Sequence, residues 1–212
     1  MTAPAFEFEC TGAYPDRAAA APTISLQLHI RETSGVTVHA LALRTQIRIE
    51  PLRRRYDDTE ADALRDLFGE RSRWGTTLKP LQLGFVNQMV TTFAGQTDVE
   101  VALPCSYDFD VAAHKYLYAL ADGEIPLLLL FSGTVFTSEG SGFSVSLVPW
   151  DREARYRLPV ETWKQTMDIH FPGTRWLRLG ERSFDALHSY RTEQQLTSWD
   201  DAIDRLLKEA GP

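Results

Sequence analysis

Ile125-Pro126-Leu127-Leu128-Leu129-Leu130-Phe131 is the longest apolar run in the chain, and it limits what the rest can do. It is far too short to cross a bilayer, and turn-forming residues bound it, so it reads as a core strand. The run continues through Ser132-Gly133-Thr134-Val135-Phe136 and then meets a polar, glycine-bearing turn, Ser138-Glu139-Gly140-Ser141-Gly142. Beyond the turn, Phe143, Val145 and Leu147 alternate with Ser144, Ser146 and Val148. The segment 98–149 therefore predicts a core hairpin at its end, with the other elements covering it.

Several further segments carry the period-2 alternation of half-buried strands. Phe6, Phe8 and Cys10 alternate with glutamates, and Ile24, Leu26, Leu28 and Ile30 alternate with polar residues. Residues 14–23, with prolines on both sides of four alanines, read as a loop. Glu32-Thr33-Ser34-Gly35 predicts a hairpin turn into a long strand from Val36 to about Leu52. In that strand the apolar parity switches from Val38 and Ala40 to Leu41, Leu43, Ile47 and Ile49, which requires a bulge near Ala40. An acidic helix follows, with Thr59 and Asp62 as its capping box and Gly69 as its stop, and Trp74-Gly75 opens a loop. Leu81, Leu83 and Phe85 form an irregular strand, and Val99, Val101 and Leu103 a regular one. Residues 108–123 read as a strand end passing into a helix, with Asp110 as N-cap and Gly123 as C-terminal stop. After residue 150 the pattern turns helical: one helix begins at Leu158-Pro159, a second carries Phe184 and Leu187, and the last is capped by Ser198 and Asp201.

The fold class is α+β: a mainly antiparallel sheet in a two-layer sandwich, with a helical insertion and C-terminal helices. The expected organisation is a β-rich core over 1–150 and a helical segment over 151–212 packed on it as one structural unit. A chain of 212 residues, 43% hydrophobic and 24% charged, can bury such a core without covalent staples. The net charge of −7 argues against a nucleic-acid partner and against docking on an anionic membrane. Cys10 and Cys105 are isolated, and the first residues lack the basic and apolar regions of a signal peptide, so the cytoplasm is the expected location.

No residue pattern identifies a reaction, and no cofactor is expected. The five histidines show neither metal-ligand spacing nor an HExxH motif. His29 and His39 would share one face of the expected hairpin, as part of a polar sheet surface. Cys105 follows Pro104 near Asp108 and His114, but the acidic surroundings disfavour a thiolate, so a small buried hydrophobe is the first reading. Arg53-Arg54-Arg55 cannot all face one way in an extended segment, and a solvated turn is expected. Interfaces favour Trp and Arg, so Trp74, Trp150, Trp176, Arg53 and Arg55 are the candidate binding residues. Cys105, Asp108 and His114 are the candidates if the chain instead holds a small ligand or is an enzyme.

The segments ALALRTQIRIEPLRRRY, DLFGERSRW, VALPCSYDFDVAAHKY, GEIPLLLLFSGTVF and FPGTRWLRL together resemble an uncharacterised bacterial family. That family is often encoded beside [NiFe]-hydrogenase genes, and the resemblance implies an accessory or assembly role, with a hydrogenase subunit or maturation factor as partner. It supplies no catalytic residues. FPGTRWLRLGERSFDAL, following paired strands and helices, is faintly similar to the export chaperone SecB, which implies a chaperone-like role as a further alternative.

Overall fold

The computed structural model describes residues 4–105, 111–139, 142–174 and 179–211. In chain order the elements are β1 (Phe6–Pro15), β2 (Thr23–Glu32), β3 (Thr37–Ile49), α1 (Asp58–Ala63), α2 (Arg65–Phe68), α3 (Trp74–Thr77), β4 (Leu81–Val90), β5 (Phe93–Ala94) and β6 (Gln96–Pro104). They continue as α4 (Val111–Ala119), β7 (Glu124–Glu139), β8 (Gly142–Leu147), β9 (Glu153–Pro159), α5 (Val160–His170), α6 (Glu181–Glu193) and α7 (Trp199–Ala210). Two compact units divide the chain, residues 1–172 and 173–212.

The first unit holds two antiparallel sheets, in keeping with the α+β sandwich expected from the alternation. One sheet has three strands in the order β1-β2-β6. The other has six, ordered β4-β3-β7-β8, with β5 also on β3 and β9 also on β7. The inward parity of each strand builds the core: Ile24, Leu26, Leu28 and Ile30 with Val101 and Leu103 from the first sheet, and Leu41, Leu43, Ile47, Ile49, Leu127, Leu129, Phe131 and Val135 from the second. Phe8 stacks on Phe131 with ring centroids 4.2 Å apart, joining the layers. Each such side chain, fully buried, contributes about 1.5–3 kcal/mol of transfer free energy. The tetra-leucine run lies at the centre of β7, with Leu127 and Leu129 facing the core and Leu128 and Leu130 half-buried on the other face. Gly133 of β7 has no room for a side chain beside β3: a Cβ there would stand 2.3 Å from the carbonyl oxygen of Ala42.

The parity switch in β3 is a bulge between Val38 and Ala40, as the alternation requires. Other expectations are corrected. Glu32-Thr33-Ser34-Gly35 is not a hairpin, because β2 and β3 belong to different sheets and the turn is a crossover between layers. His29 and His39 therefore do not share a face. The crossover is organised by the buried Glu32 carboxylate, which accepts hydrogen bonds from the backbone N–H of Ala5, Ser34, Gly35 and Val36 and from the Ser34 hydroxyl. β1 runs on to Pro15, so the expected loop begins only at Asp16. The acidic helix is capped by Asp57, not Thr59: its carboxylate accepts from Glu60 N–H at 2.7 Å. The helix is broken at Leu64, and Gly69 ends its second half at φ 72°. Trp74 opens a short helix, α3, instead of a loop. The turn between β7 and β8, Gly140 and Ser141, and the proposed N-cap Asp110 lie outside the described residues. A strand, β9, stands where helix was expected directly after residue 150. Ala154, Tyr156 and Leu158 alternate with Arg155 and Arg157 and pair with β7. α5 does begin after Pro159, burying Val160, Trp163 and Met167.

The inserted helices α1–α4 pack around a polar centre. The Arg54 side chain, within the run expected to be a solvated turn, is buried: its Nη2 lies 2.5 Å from Glu60 Oε1. The same guanidinium donates to the carbonyls of Asp122 and Glu124, and Glu60 accepts from Ala121 N–H. Gly123 adopts φ 75° beside that guanidinium, with a hypothetical Cβ only 3.0 Å from Nη1. Tyr56 and Tyr116 join their hydroxyls at 2.8 Å, with Trp74 edge-on to Tyr56.

The second unit contains α6 and α7. The Ser198–Asp201 capping box is present. Trp199 is half-buried, with Phe184 and His188 around it and the Arg191 guanidinium 4.0 Å above its ring.

Candidate functional site

The outward faces of the two sheets differ in chemistry. On the three-stranded sheet, register places Glu7 against Arg31, Glu9 against His29, His29 against Asp98 and Gln27 against Glu100. This face is a charged ladder, with His29 Nδ1 2.7 Å from Asp98 Oδ1 and Arg31 3.5 Å from Glu7. It is an ordinary solvated sheet surface.

The outward face of the six-stranded sheet mixes exposed apolar residues with polar and basic ones. One row crosses all four central strands, from Met89 through Ala42 and Thr134 to Leu147. The row on one side of it holds Ala40, Phe136 and Val145; on the other side comes a polar row, Asn87, Arg44 and Ser132, and beyond that Phe85, Gln46 and Leu130. Met89 is 63% exposed, Leu147 74% and Val145 61%. Basic residues stand among them: Arg44 lies 4.6 Å over the Phe85 ring, Arg48 shares its row with Leu128, and Arg155 and Arg157 flank the other side on β9. Large exposed apolar side chains set among arginines on one sheet face are a feature of interaction surfaces.

The candidate binding residues fall in different places. Trp150, just past β8, is 92% exposed, whereas Trp74 is buried and donates Nε1–H to the Gly69 carbonyl. Arg53 and Arg55 are exposed on either side of the buried Arg54 side chain, and Trp176 lies outside the described residues. Of the ligand candidates, Asp108 also lies outside them. Cys105 is buried, and burial pushes its thiol up to about 12, so at neutral pH it is a protonated thiol and not a nucleophile. His114 is half-buried on α4, and burial holds its pKa below the usual histidine value. Both cysteines are free and buried. Among the described residues no group of three or more His, Cys, Asp or Glu side chains is placed to hold a metal ion. Among them, too, no helix is long and apolar enough to cross a membrane.

Reading residues singly for tryptophan and arginine missed Phe85, Met89, Val145 and Leu147. The signal that could have found them was parity: once β3, β4, β7 and β8 are set in register, Met89 falls in one row with Leu147 and Phe85 in one row with Leu130.

A family model, described as a family of unknown function (DUF6084), matches residues 3–212. The chain belongs to this family. No curated protein matches it. Among solved structures, 74% of this DUF6084 chain is similar to 15% of a β-glucosidase from Kluyveromyces marxianus, at 11% identity and a TM-score of 0.26. That likeness carries no argument about fold or activity.

Proposed function

We propose that this DUF6084 chain is a non-enzymatic, cytoplasmic accessory protein that binds another protein through the outward face of its six-stranded sheet. The observation that supports the reading is the contrast between the two sheet faces, one a charge ladder and the other exposing the large apolar side chains of Phe85, Met89, Val145 and Leu147. Exposed apolar area of this kind gains free energy when a partner removes it from water, at about 25 cal/mol per Å². Arg48, Arg155 and Arg157 meet Glu50, Glu153 and Glu124 within the chain, while Arg44, over the Phe85 ring, fits a partner whose own apolar surface carries a carboxylate. Following the family resemblance in the sequence, a [NiFe]-hydrogenase subunit or maturation intermediate is the partner to try first.

The test is retention of purified hydrogenase subunit precursors by the immobilised chain. Met89→Glu and Phe85→Glu are expected to weaken binding by at least about tenfold, the loss typical of a central interface residue. Glu9→Arg, on the charged face, leaves binding unchanged. Failure of the wild type to retain any such subunit, or equal binding by Met89→Glu, overturns the proposal.

A further inference from the structure

The edges of the two sheets are not alike. Strand edges with free backbone N–H and C=O groups invite pairing with another chain, and proteins commonly blunt them with charge. β1 carries Glu7 and Glu9, β6 carries Asp98 and Glu100, and β9 carries Glu153, Arg155 and Arg157. β4, at one end of the six-stranded sheet, and β8, at the other, carry neither charge nor proline, and of the two it is β8, from Gly142 to Leu147, whose sequence can pair with itself. It ends the path β4-β3-β7-β8, and no strand among the described residues pairs with its other side.

Register identifies the backbone groups on that side. Val148 N–H donates to the Gly133 carbonyl, so by alternation Ser146, Ser144 and Gly142 also turn their backbone groups to β7. Phe143, Val145 and Leu147 therefore point theirs away from the sheet. The sequence of this edge is symmetric about Val145. Running antiparallel to itself, it sets Val145 against Val145, Phe143 against Leu147 and Ser144 against Ser146, apolar residue with apolar and serine with serine. No like charges meet. One further observation points the same way: the Ser146 hydroxyl oxygen is buried and has no hydrogen-bond partner, and this pairing brings Ser144 of a second chain opposite it.

We infer that two copies of the chain associate through β8, antiparallel, about a two-fold axis at Val145. The six-stranded sheets join into one continuous sheet, and the copies exchange backbone hydrogen bonds at Val145 and between Phe143 and Leu147. The two-fold places identical patches together, as closed homodimers require. The partner-binding face is doubled by the same step, but the inference rests on the edge and not on that face.

Sedimentation of the full chain at micromolar concentration tests it. The wild type is expected at twice the chain mass. Val145→Lys sets two ammonium groups against each other on the axis, and Val145→Pro removes an outward N–H without touching a bond to β7. Both are expected to sediment as monomers with the unfolding midpoint of the isolated subunit. Val145→Cys is expected to give a symmetric intermolecular disulfide under mild oxidation, because paired Cα atoms lie about 5.5 Å apart at such a position. Met89→Glu and Phe85→Glu remain dimeric, so loss of partner binding and loss of pairing are read separately. A wild type that stays monomeric overturns the inference, as does a dimer that survives both Val145→Lys and Val145→Pro.

Discussion

Glu60→Ala is expected to destabilise the first unit by about 3–5 kcal/mol, the cost of leaving one member of a buried ion pair without its partner. The side chains of Arg54 and Glu60 are only 8% and 4% exposed, so water cannot replace the lost carboxylate. The damage extends beyond the pair. Glu60 also accepts from Ala121 N–H, and Arg54 holds the carbonyls of Asp122 and Glu124, the residues that lead into β7. Glu60 thus ties the inserted helices to the central strand. A domain is typically stable by only about 5–15 kcal/mol, so urea unfolding will resolve the change easily. Replacing both residues with apolar side chains of similar size should recover most of the loss, because neither charge is then stranded. If Glu60→Ala unfolds within about 1 kcal/mol of the wild type, well below the loss expected for a broken buried pair, the pair is not the tie described here.

Glu32→Ala is expected to cost about 3 kcal/mol, since it leaves four backbone N–H groups and a hydroxyl without their shared acceptor at the crossover. The effect depends on pH. Burial acts to raise the Glu32 pKa, but it is outweighed by the Ser34 hydroxyl and the N–H groups of Ala5, Ser34 and Val36, and the carboxyl is held below its usual range. A folded-state pKa below the unfolded one means that the unfolded chain takes up the proton first as pH falls. The stability contributed by Glu32 is therefore fully present above the ordinary glutamate pKa of about 4.3, and it is lost as pH falls below that through the folded value. The gap between wild type and Glu32→Ala should be widest near neutrality and shrink in acid. A gap that stays constant into acid would show that the ionised carboxylate does not organise the crossover.

Much of the first unit was legible in the sequence because period-2 alternation is a strong signal when one face is apolar. Ile24 to Ile30 and the β3 bulge follow from parity, and the tetra-leucine strand from the length of its apolar run and the turn residues that bound it. β9 was missed because Ala154 and Tyr156 are weak apolar markers and sit between arginines. The crossover at Glu32–Gly35 was misread because hairpins and inter-sheet turns use the same residue types; only the long-range acceptor role of Glu32 separates them. Arg54 was assigned to solvent because its partner Glu60 lies six residues away and buries it only once α1 has formed. The candidate site was the least legible part. Its residues come from β3, β4, β7 and β8, and each is unremarkable until register lines them up.

Met89 offers the most direct test of the claim that this outward sheet face is a binding surface. It is 63% exposed, whereas Met167 is buried in α5. Peroxide converts accessible methionine to the sulfoxide, which mass spectrometry reads residue by residue. The account predicts rapid oxidation of Met89 in the purified chain, marked protection of Met89 in the complex with its protein partner, and slow oxidation of Met167 in both. Equal oxidation of Met89 with and without the bound partner would contradict it.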